Sequence, residues 1–186
     1  MTLIERVRES YQSAALWLSR FLEPLTLLLM RLLVARVFFL SGQSKWHGWF
    51  DFNETKYDLF LYEFFCPDPV RPGALLLCDP QTLDYQSGSL TVTLIETMAL
   101  LAGVLEIFLP VLLIVGLLTR PAALGLLAMT LFIQLAVFPT WGHWWNPAAW
   151  WFVVLFGLVA TGPGALSLDR LFKLETRRRG APSTST

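Results

Sequence analysis

Long apolar stretches separated by short polar segments dominate the chain. Four of them reach the ~20 residues that a helix needs to cross the hydrocarbon core of a bilayer. They run from about Leu22 to Gly42, from Val92 to Leu118, from Ala122 to Pro139 and from Pro147 to Leu166. Backbone groups in lipid must be hydrogen-bonded within their own segment, so each stretch predicts a helix. Because the last three are joined by short connections, we expect an all-α fold, a four-transmembrane-helix antiparallel bundle over residues 22–172.

The two ends of the chain show different patterns. In residues 1–21, apolar side chains recur at helical spacing while polar ones occupy the opposite face, which predicts an interfacial amphipathic helix on the inner leaflet. Residues 173–186 are basic and then small and polar, which is typical of a disordered cytoplasmic tail.

A long outer loop, residues 45–91, joins the first two predicted spans and is too long to be a mere connector. Part of it repeats apolar residues at the spacing of a short amphipathic helix, which would rest on the bundle mouth or on the outer leaflet. Such a helix could equally be a structural lid without chemistry. The residues of this stripe are Tyr57, Phe60, Leu61, Phe64 and Phe65.

The two cysteines of the chain, Cys66 and Cys78, flank a proline-rich segment of the same loop. If this loop faces an oxidising compartment, a structural disulfide is the favoured state. A redox-active or metal-handling pair, and two unlinked thiols, stay open as alternatives.

Composition supports a membrane location. Hydrophobic residues make up 55% of the chain and charged residues 15%, whereas a soluble domain carries roughly 25% charged residues. Fourteen basic residues balance fourteen acidic ones, so the chain has no net basic field of the kind that attracts nucleic acid. The lipid bilayer is the partner that this composition predicts.

The distribution of lysine and arginine predicts the orientation. Nine basic residues lie on the side of the two termini, against three in the outer loop, which also holds seven carboxylates. By the positive-inside rule both termini are cytoplasmic, in a multi-pass protein of the bacterial inner membrane. All tryptophans except Trp17 then lie near the outer interface, where indole rings are enriched.

Ionisable residues within the predicted spans are the candidate functional groups. Arg31 and Glu106 lie near the middle of antiparallel helices, so we expect an ion pair that offsets the ~2.5–3.5 kcal/mol cost of a charge in the membrane. Arg36 and Glu96 form a plausible second pair, and Gln134 could bond either arginine. One interpretation is a network that only sets the helix register. The other is a polar pocket that opens outward and binds a quinone headgroup or passes protons.

The two histidines, His47 and His143, both lie among tryptophans on the outer side. Imidazole suits haem and copper, but a histidine at this position is also common as a plain interface residue. No nucleotide-binding glycine loop, HExxH, GxSxG or CxxC motif occurs, and we predict no metal site.

Three short motifs lie in order along the predicted helices. The first helix carries Arg31 to Gly42, an arginine followed by an aromatic-rich stretch and Ser-Gly, and then Lys45. The second carries Glu106 and ends in Gly116-Leu117-Leu118-Thr119-Arg120. The fourth closes with Gly162-Pro163-Gly164-Ala165-Leu166-Ser167-Leu168-Asp169. Together these motifs resemble the DoxX family of small four-helix membrane proteins, and the resemblance covers roughly residues 22–172.

The resemblance implies a redox context. The family takes its name from a subunit of a thiosulfate:quinone oxidoreductase of an archaeon, and other members accompany redox or copper-related partners. The stretch from Tyr62-Glu63-Phe64 through Pro110 and Arg120 is similar to members that sit beside peptide-modifying iron enzymes in metal-stress operons. By carry-over, Arg31 and Glu106 are the candidate catalytic residues.

These observations lead to two main functional hypotheses. The first is a subunit of a quinone-linked redox system, with quinone as the candidate cofactor and a periplasmic or membrane redox protein as partner. In it, Arg36, Glu96 and Gln134 would bind the substrate, and Arg120 would anchor the chain at the inner headgroups. The second is a non-catalytic membrane anchor for a periplasmic redox or metal-handling protein. A small transporter is a weaker third hypothesis, because no internal repeat is visible.

Overall fold

The computed structural model describes residues 3–48, 51–86 and 88–175, and their regular structure is helical. Trp49 and the predicted tail beyond Glu175 lie outside these ranges. The α-helices are α1 Leu3–Gln43, α2 Thr55–Asp58, α3 Leu90–Val115, α4 Thr119–Phe132, α5 Trp141–His143, α6 Ala149–Thr161 and α7 Leu168–Leu171. Wider π-helical turns continue α2 (Leu59–Phe64), α4 (Ile133–Val137) and α5 (Trp144–Ala148).

Three helical segments are long and apolar enough to cross a membrane: Ile4–Gln43, Leu90–Val115 and Thr119–Val137. The chain is therefore a multi-pass membrane protein. The predicted fourth span is not confirmed, since the backbone is non-helical at Asn146 and the regular helix after this kink, α6, has 13 residues, about 20 Å, less than the ~30 Å hydrocarbon core. It packs beside α4 and α1.

The first helix is longer than one membrane crossing. α1 has 41 residues, about 61 Å at the usual rise, and it continues through Pro24 without ending at residue 21. All side chains from Ile4 to Glu23 are exposed, so this half of α1 extends beyond the packed helices. That it lies on a membrane surface stays a prediction.

The packed core joins four helices, which alternate in direction. Small residues of α4 (Ala122, Ala123) allow close approach, and large aliphatic ones fill the space between helices. Buried contributors include Leu27, Val34 and Phe38 of α1, Leu113 of α3, Leu126 of α4, and Leu155 and Leu158 of α6. We call the end near Lys45 the loop end and the end near Gly116 the tail end.

The register between α1 and α3 is set by close backbone contacts. A Cβ atom on Gly42 would lie 2.9 Å from the carbonyl group of Glu106, so Gly42 and Glu106 are at the same level. At the tail end, the guanidinium of Arg31 lies directly against Gly116. Arg31 and Glu106 are thus separated by roughly ten residues of helix, about 15 Å along the axis.

A buried junction closes the tail end. Gly116 ends α3 in the left-handed region with φ +70°, a conformation that costs little for glycine alone. Its carbonyl accepts a hydrogen bond of 2.8 Å from the amide of Asp169. The Asp169 carboxylate, in turn, accepts from the amides of Leu118 (2.7 Å) and Thr119 (2.9 Å), and so satisfies the first N–H groups of α4.

The outer loop folds onto the loop end of the bundle. Phe60, Leu61 and Phe65 are buried against Ile95 and Ala99 of α3. The short predicted helix is present, but its second part is the π-helical segment Leu59–Phe64, so the apolar stripe packs on protein at the bundle mouth.

Substituting Gly116 by Ala tests the tail-end junction. A Cβ atom at position 116 would clash with the guanidinium of Arg31 and would lie 2.7 Å from Cβ of Ser167. In addition, a residue other than glycine with positive φ costs roughly 1–2 kcal/mol by itself. We expect Gly116→Ala to lower the thermal unfolding temperature in detergent by several degrees. Gly142→Ala is the matched control, because a Cβ there meets no atom within 4 Å. Equal unfolding temperatures for the two variants would contradict the junction.

Candidate functional site

A buried ion pair lies near the loop end of the bundle. The Lys45 ammonium donates to Glu106 Oε2 at 2.5 Å, and the two residues are only 7% and 5% exposed. Lys45 Nζ also donates to Ser41 Oγ at 3.1 Å. A buried charge needs both a partner and hydrogen bonds to offset its desolvation, and this arrangement supplies both.

The turn after α1 positions Lys45. α1 ends at Gln43, and the amide of Lys45 donates to the carbonyl of Gly42 at 2.9 Å, which closes a tight turn. The side chain of Lys45 then runs back along the last turn of α1 to Ser41. Trp46 closes this turn against α3, where its indole N–H donates to the carbonyl of Gly103 at 3.4 Å. A long aliphatic stem makes this reach feasible for lysine.

A cavity of about 350 Å³ opens beside the ion pair. Its polar lining groups are Ser41, Lys45 and Glu106, and the other lining side chains are apolar, including four phenylalanines. Two of the three π-helical segments contribute to the wall, Leu59–Phe64 through Phe60 and Phe64, and Ile133–Val137 through Ile133 and Val137. Such segments are common at functional sites. An apolar cavity with a few converging polar groups is the usual form of a small-molecule site.

The cavity opens sideways between α3 and α4. Leu101 of α3 and Phe132 of α4 both line it, and they are 54% and 42% exposed on the outer surface of the helices. The helical segments Leu90–Val115 and Thr119–Val137, to which these two residues belong, are each long and apolar enough to span a membrane.

The predicted pairing of Arg31 with Glu106 is wrong. Arg31 lies at the tail end, where it is 1% exposed and donates to the carbonyl of Leu166. Asp169 is the charged residue that interacts electrostatically with the Arg31 guanidinium. In the described part of the chain, its Nε and Nη1 atoms are buried without a hydrogen-bond partner. Arg31 therefore belongs to the tail-end junction and not to the cavity.

The second predicted pair does not form either. Arg36 is exposed and Glu96 is half-buried. Neither lines the cavity, and no ion pair joins these two described residues. Gln134 bonds no arginine.

Arg120 anchors the tail end through protein contacts. It pairs with Glu175 at 2.8 Å and donates to the carbonyls of Val159 and Ala160 at the end of α6. It thereby ties the start of α4 to the end of α6. Contact with lipid headgroups stays a prediction.

The predicted pairing depends on the depth of Arg31 in the first span. An apolar run that begins near Leu22 predicts Arg31 at mid-membrane, but α1 begins well before Leu22, and Gly42 is the α1 residue level with Glu106. The actual partner, Lys45, lies at the start of the predicted outer loop. One signal was available, since Lys45 follows Ser41 by four residues, the spacing of neighbours on one face of a helix.

The cysteines are joined in the structure. A disulfide links Cys66 to Cys78, the pairing that the sequence favours. Cys66 is 3% exposed and Cys78 is partly exposed. The amide of Leu77 donates to the carbonyl of Phe65 at 2.9 Å, so the two segments that carry the cysteines run side by side next to the cavity wall.

Gln134 and His143 form a separate polar contact at the loop end. Gln134 Oε1 lies 2.6 Å from His143 Nδ1, and Gln134 Nε2 donates to the carbonyl of Thr140 at 3.1 Å. Burial lowers the pKa of His143 because the charged imidazolium is poorly solvated there. His47 is exposed. Within the described ranges, no three His, Cys, Asp or Glu side chains cluster as a metal site would require.

These features define a multi-pass helical membrane protein with a cavity beside a buried ion pair. Residues 26–139 match the model of the DoxX family, and the chain belongs to this family. The matched region includes the ion pair, the cavity and the disulfide loop. No curated protein and no solved structure matches the chain.

Removing one partner of the ion pair should destabilise the protein strongly. Lys45→Met or Glu106→Leu alone leaves an uncompensated buried charge, which costs about 3–5 kcal/mol. The double variant removes both charges and should recover most of this loss. The measurement is a double-mutant cycle of unfolding in detergent titrated with dodecyl sulfate.

The matched control for this cycle is the Arg120–Glu175 pair, whose side chains are 42% and 31% exposed. A half-exposed pair contributes about 0–1 kcal/mol, so Glu175→Gln should change unfolding little. Additive losses in the Lys45 and Glu106 variants, with no recovery in the double, would contradict the coupling.

Acid should weaken the loop end through His143. The unfolded chain protonates this histidine near its ordinary pKa of ~6.5, whereas burial lowers the pKa in the folded protein. The stability that neutral His143 provides is therefore present above pH ~6.5 and is lost as pH falls through the lowered pKa. We expect His143→Gln to reduce the difference in unfolding temperature between pH 7.5 and pH 5, and His47→Gln to leave that difference unchanged.

Proposed function

We propose that this DoxX protein is a quinone-binding subunit of a redox system in the bacterial inner membrane, with both termini in the cytoplasm. The observation that carries the proposal is the lateral cavity with Ser41, Lys45 and Glu106 as its polar groups. The orientation is supported by the excess of basic residues on the side of the termini.

The size of the cavity suits a ring rather than a whole lipid. Its volume of about 350 Å³ lies at the lower end of the roughly 300–1,000 Å³ typical of ligand sites. A quinone headgroup would occupy it, and its isoprenoid tail would extend between Leu101 and Phe132 into the bilayer. The phenylalanines of the wall offer faces and edges for contact with a planar ring.

The charge of the cavity favours a neutral ligand. Lys45 and Glu106 compensate each other at 2.5 Å, so the site has no net charge in an apolar surrounding. A doubly charged anion such as thiosulfate would lose its hydration there without a compensating partner, at a high cost in free energy. A neutral quinone carries two carbonyl acceptors and matches the donors of Lys45 and Ser41.

The same residues can move protons. Reduction of a quinone to a quinol takes up two electrons and two protons. The Lys45 ammonium can donate one proton to a carbonyl oxygen, and the Glu106 carboxylate can accept a second proton from a donor outside the pair and pass it to the ligand, because the two groups lie in hydrogen-bond contact beside the cavity. The electrons come from a redox partner, which in this proposal approaches from the loop end.

Binding of a short-chain quinone to the purified protein tests the proposal. We expect decylubiquinone to quench the fluorescence of tryptophans near the cavity, Trp46 in particular, with saturable binding. Glu106→Gln and Lys45→Met remove a charged hydrogen-bonding group, which is worth about 1.5–3 kcal/mol, so binding should weaken roughly 10- to 100-fold.

Glu175→Gln is the matched control, since it removes a carboxylate from the opposite end of the molecule and should bind quinone normally. Circular dichroism of every variant reports that the helices are intact. The proposal fails if folded Glu106→Gln and Lys45→Met bind the quinone as tightly as the unaltered protein does.

A further inference from the structure

The disulfide loop, residues 66–78, adjoins the cavity. Phe65 lines the cavity and is fully buried, and Cys66 follows it directly. The partner segment is held to the same place, because the amide of Leu75 donates at 2.7 Å to the carbonyl of Ala136, within the π-helical segment that also lines the cavity. Both chain segments that carry the cysteines are therefore held next to the cavity.

The two sulfur-bearing residues differ in accessibility. Cys78 is partly exposed, whereas Cys66 is 3% exposed and adjacent to the cavity wall. In thiol–disulfide exchange an external thiolate must reach one sulfur in line with the bond, and the other sulfur then leaves. This asymmetry favours attack at Cys78 and release of Cys66 on the side of the cavity.

We propose that Cys66 and Cys78 form a redox-active pair that oxidises an external dithiol and passes its two electrons to the quinone in the cavity. This inference rests on the proposed function, and it names the class of electron donor that the quinone site would serve. The phenyl ring of Phe65 forms the wall at this point, so Phe65 must turn aside for Cys66 to meet a bound headgroup.

The proposed electron transfer from the external dithiol to the quinone consists of two half-reactions. A thiolate of the external dithiol attacks Cys78 Sγ, the Cys66–Cys78 bond breaks, and Cys66 leaves as a thiolate. The second external thiol then displaces Cys78, which leaves an oxidised external disulfide and two reduced cysteines. In the second half-reaction the S–S bond of Cys66–Cys78 forms again, two electrons pass to the quinone, and two protons reach its oxygens to give the quinol.

The polar groups of the cavity fit the second half-reaction. Lys45 and Glu106 can hand on the two protons that the cysteine thiols release, so no further acid is required. The loop outside the cavity is tied down independently, since Tyr85 donates to the carbonyl of Leu61 at 2.8 Å. This contact can hold the outer loop in place while the disulfide is reduced.

The test starts from the reduced full-length protein. The protein is reduced with dithiothreitol, desalted without oxygen and mixed with decylubiquinone. Quinol formation is followed by ultraviolet absorbance, and free thiols are counted by the gel shift of a maleimide polymer. We expect one quinol per protein and loss of both thiols, at least about tenfold faster than in reduced Glu106→Gln, because binding brings the reactants together.

Cysteine variants separate this activity from a structural disulfide. Cys78→Ser keeps the Cys66 thiol but cannot form the disulfide, and it should yield no quinol above the level of the Cys66→Ser/Cys78→Ser double variant. A purely structural disulfide would change the unfolding temperature on removal and would leave quinol formation at background in every protein.

Quinone binding measured on the same samples distinguishes the two proposals. If decylubiquinone binds and both thiols stay reduced, the redox pair is overturned and the quinone site stands. If decylubiquinone does not bind, and the thiols oxidise no faster than in Glu106→Gln, the quinone site and the redox pair both fail.

Discussion

The neutralisation of one carboxylate within the apolar part of the bundle determines how the loop end is built. Glu106 lies on a membrane-spanning helix, and its charge in lipid needs a partner. Lys45 supplies it at 2.5 Å, but only because α1 ends at Gln43 and the chain turns back immediately. Gly42 lets α1 approach the backbone of Glu106, so the same contact that sets the helix register also brings the ammonium group within reach.

The two ends of the bundle handle buried charge differently. At the tail end, Arg31 donates to the backbone carbonyl of Leu166, and Asp169 accepts from the backbone amides of Leu118 and Thr119. At the loop end the charge pair borders a cavity. The buried charges of the tail end thus join the ends of helices, whereas the charged pair of the loop end lies beside a cavity.

The sequence predicted the all-α membrane fold, the helical stripe of the outer loop and the family, because these depend on periodicity, length and local motifs. The charge pairing was predicted wrongly, because pairing depends on helix register, and register is decided by backbone approach at Gly42 and Gly116. A hydropathy profile carries no information about such backbone contacts between helices. The cavity was also beyond prediction in detail, since its wall combines Phe60 and Phe65 of the loop with Phe132 of α4, residues far apart in the chain.

Because Lys45 and Glu106 neutralise each other, one site is compatible both with an uncharged ligand from the bilayer and with oxidation of the neighbouring thiols. An uncompensated Glu106 would repel a thiolate that forms at Cys66, and an uncompensated Lys45 would hold the thiolate and slow its oxidation, since a stabilised thiolate is a weaker nucleophile. The ion pair avoids both effects and still offers one donor and one acceptor of protons. The same neutrality that admits an uncharged ring from the bilayer is therefore compatible with electron transfer from the disulfide loop above it.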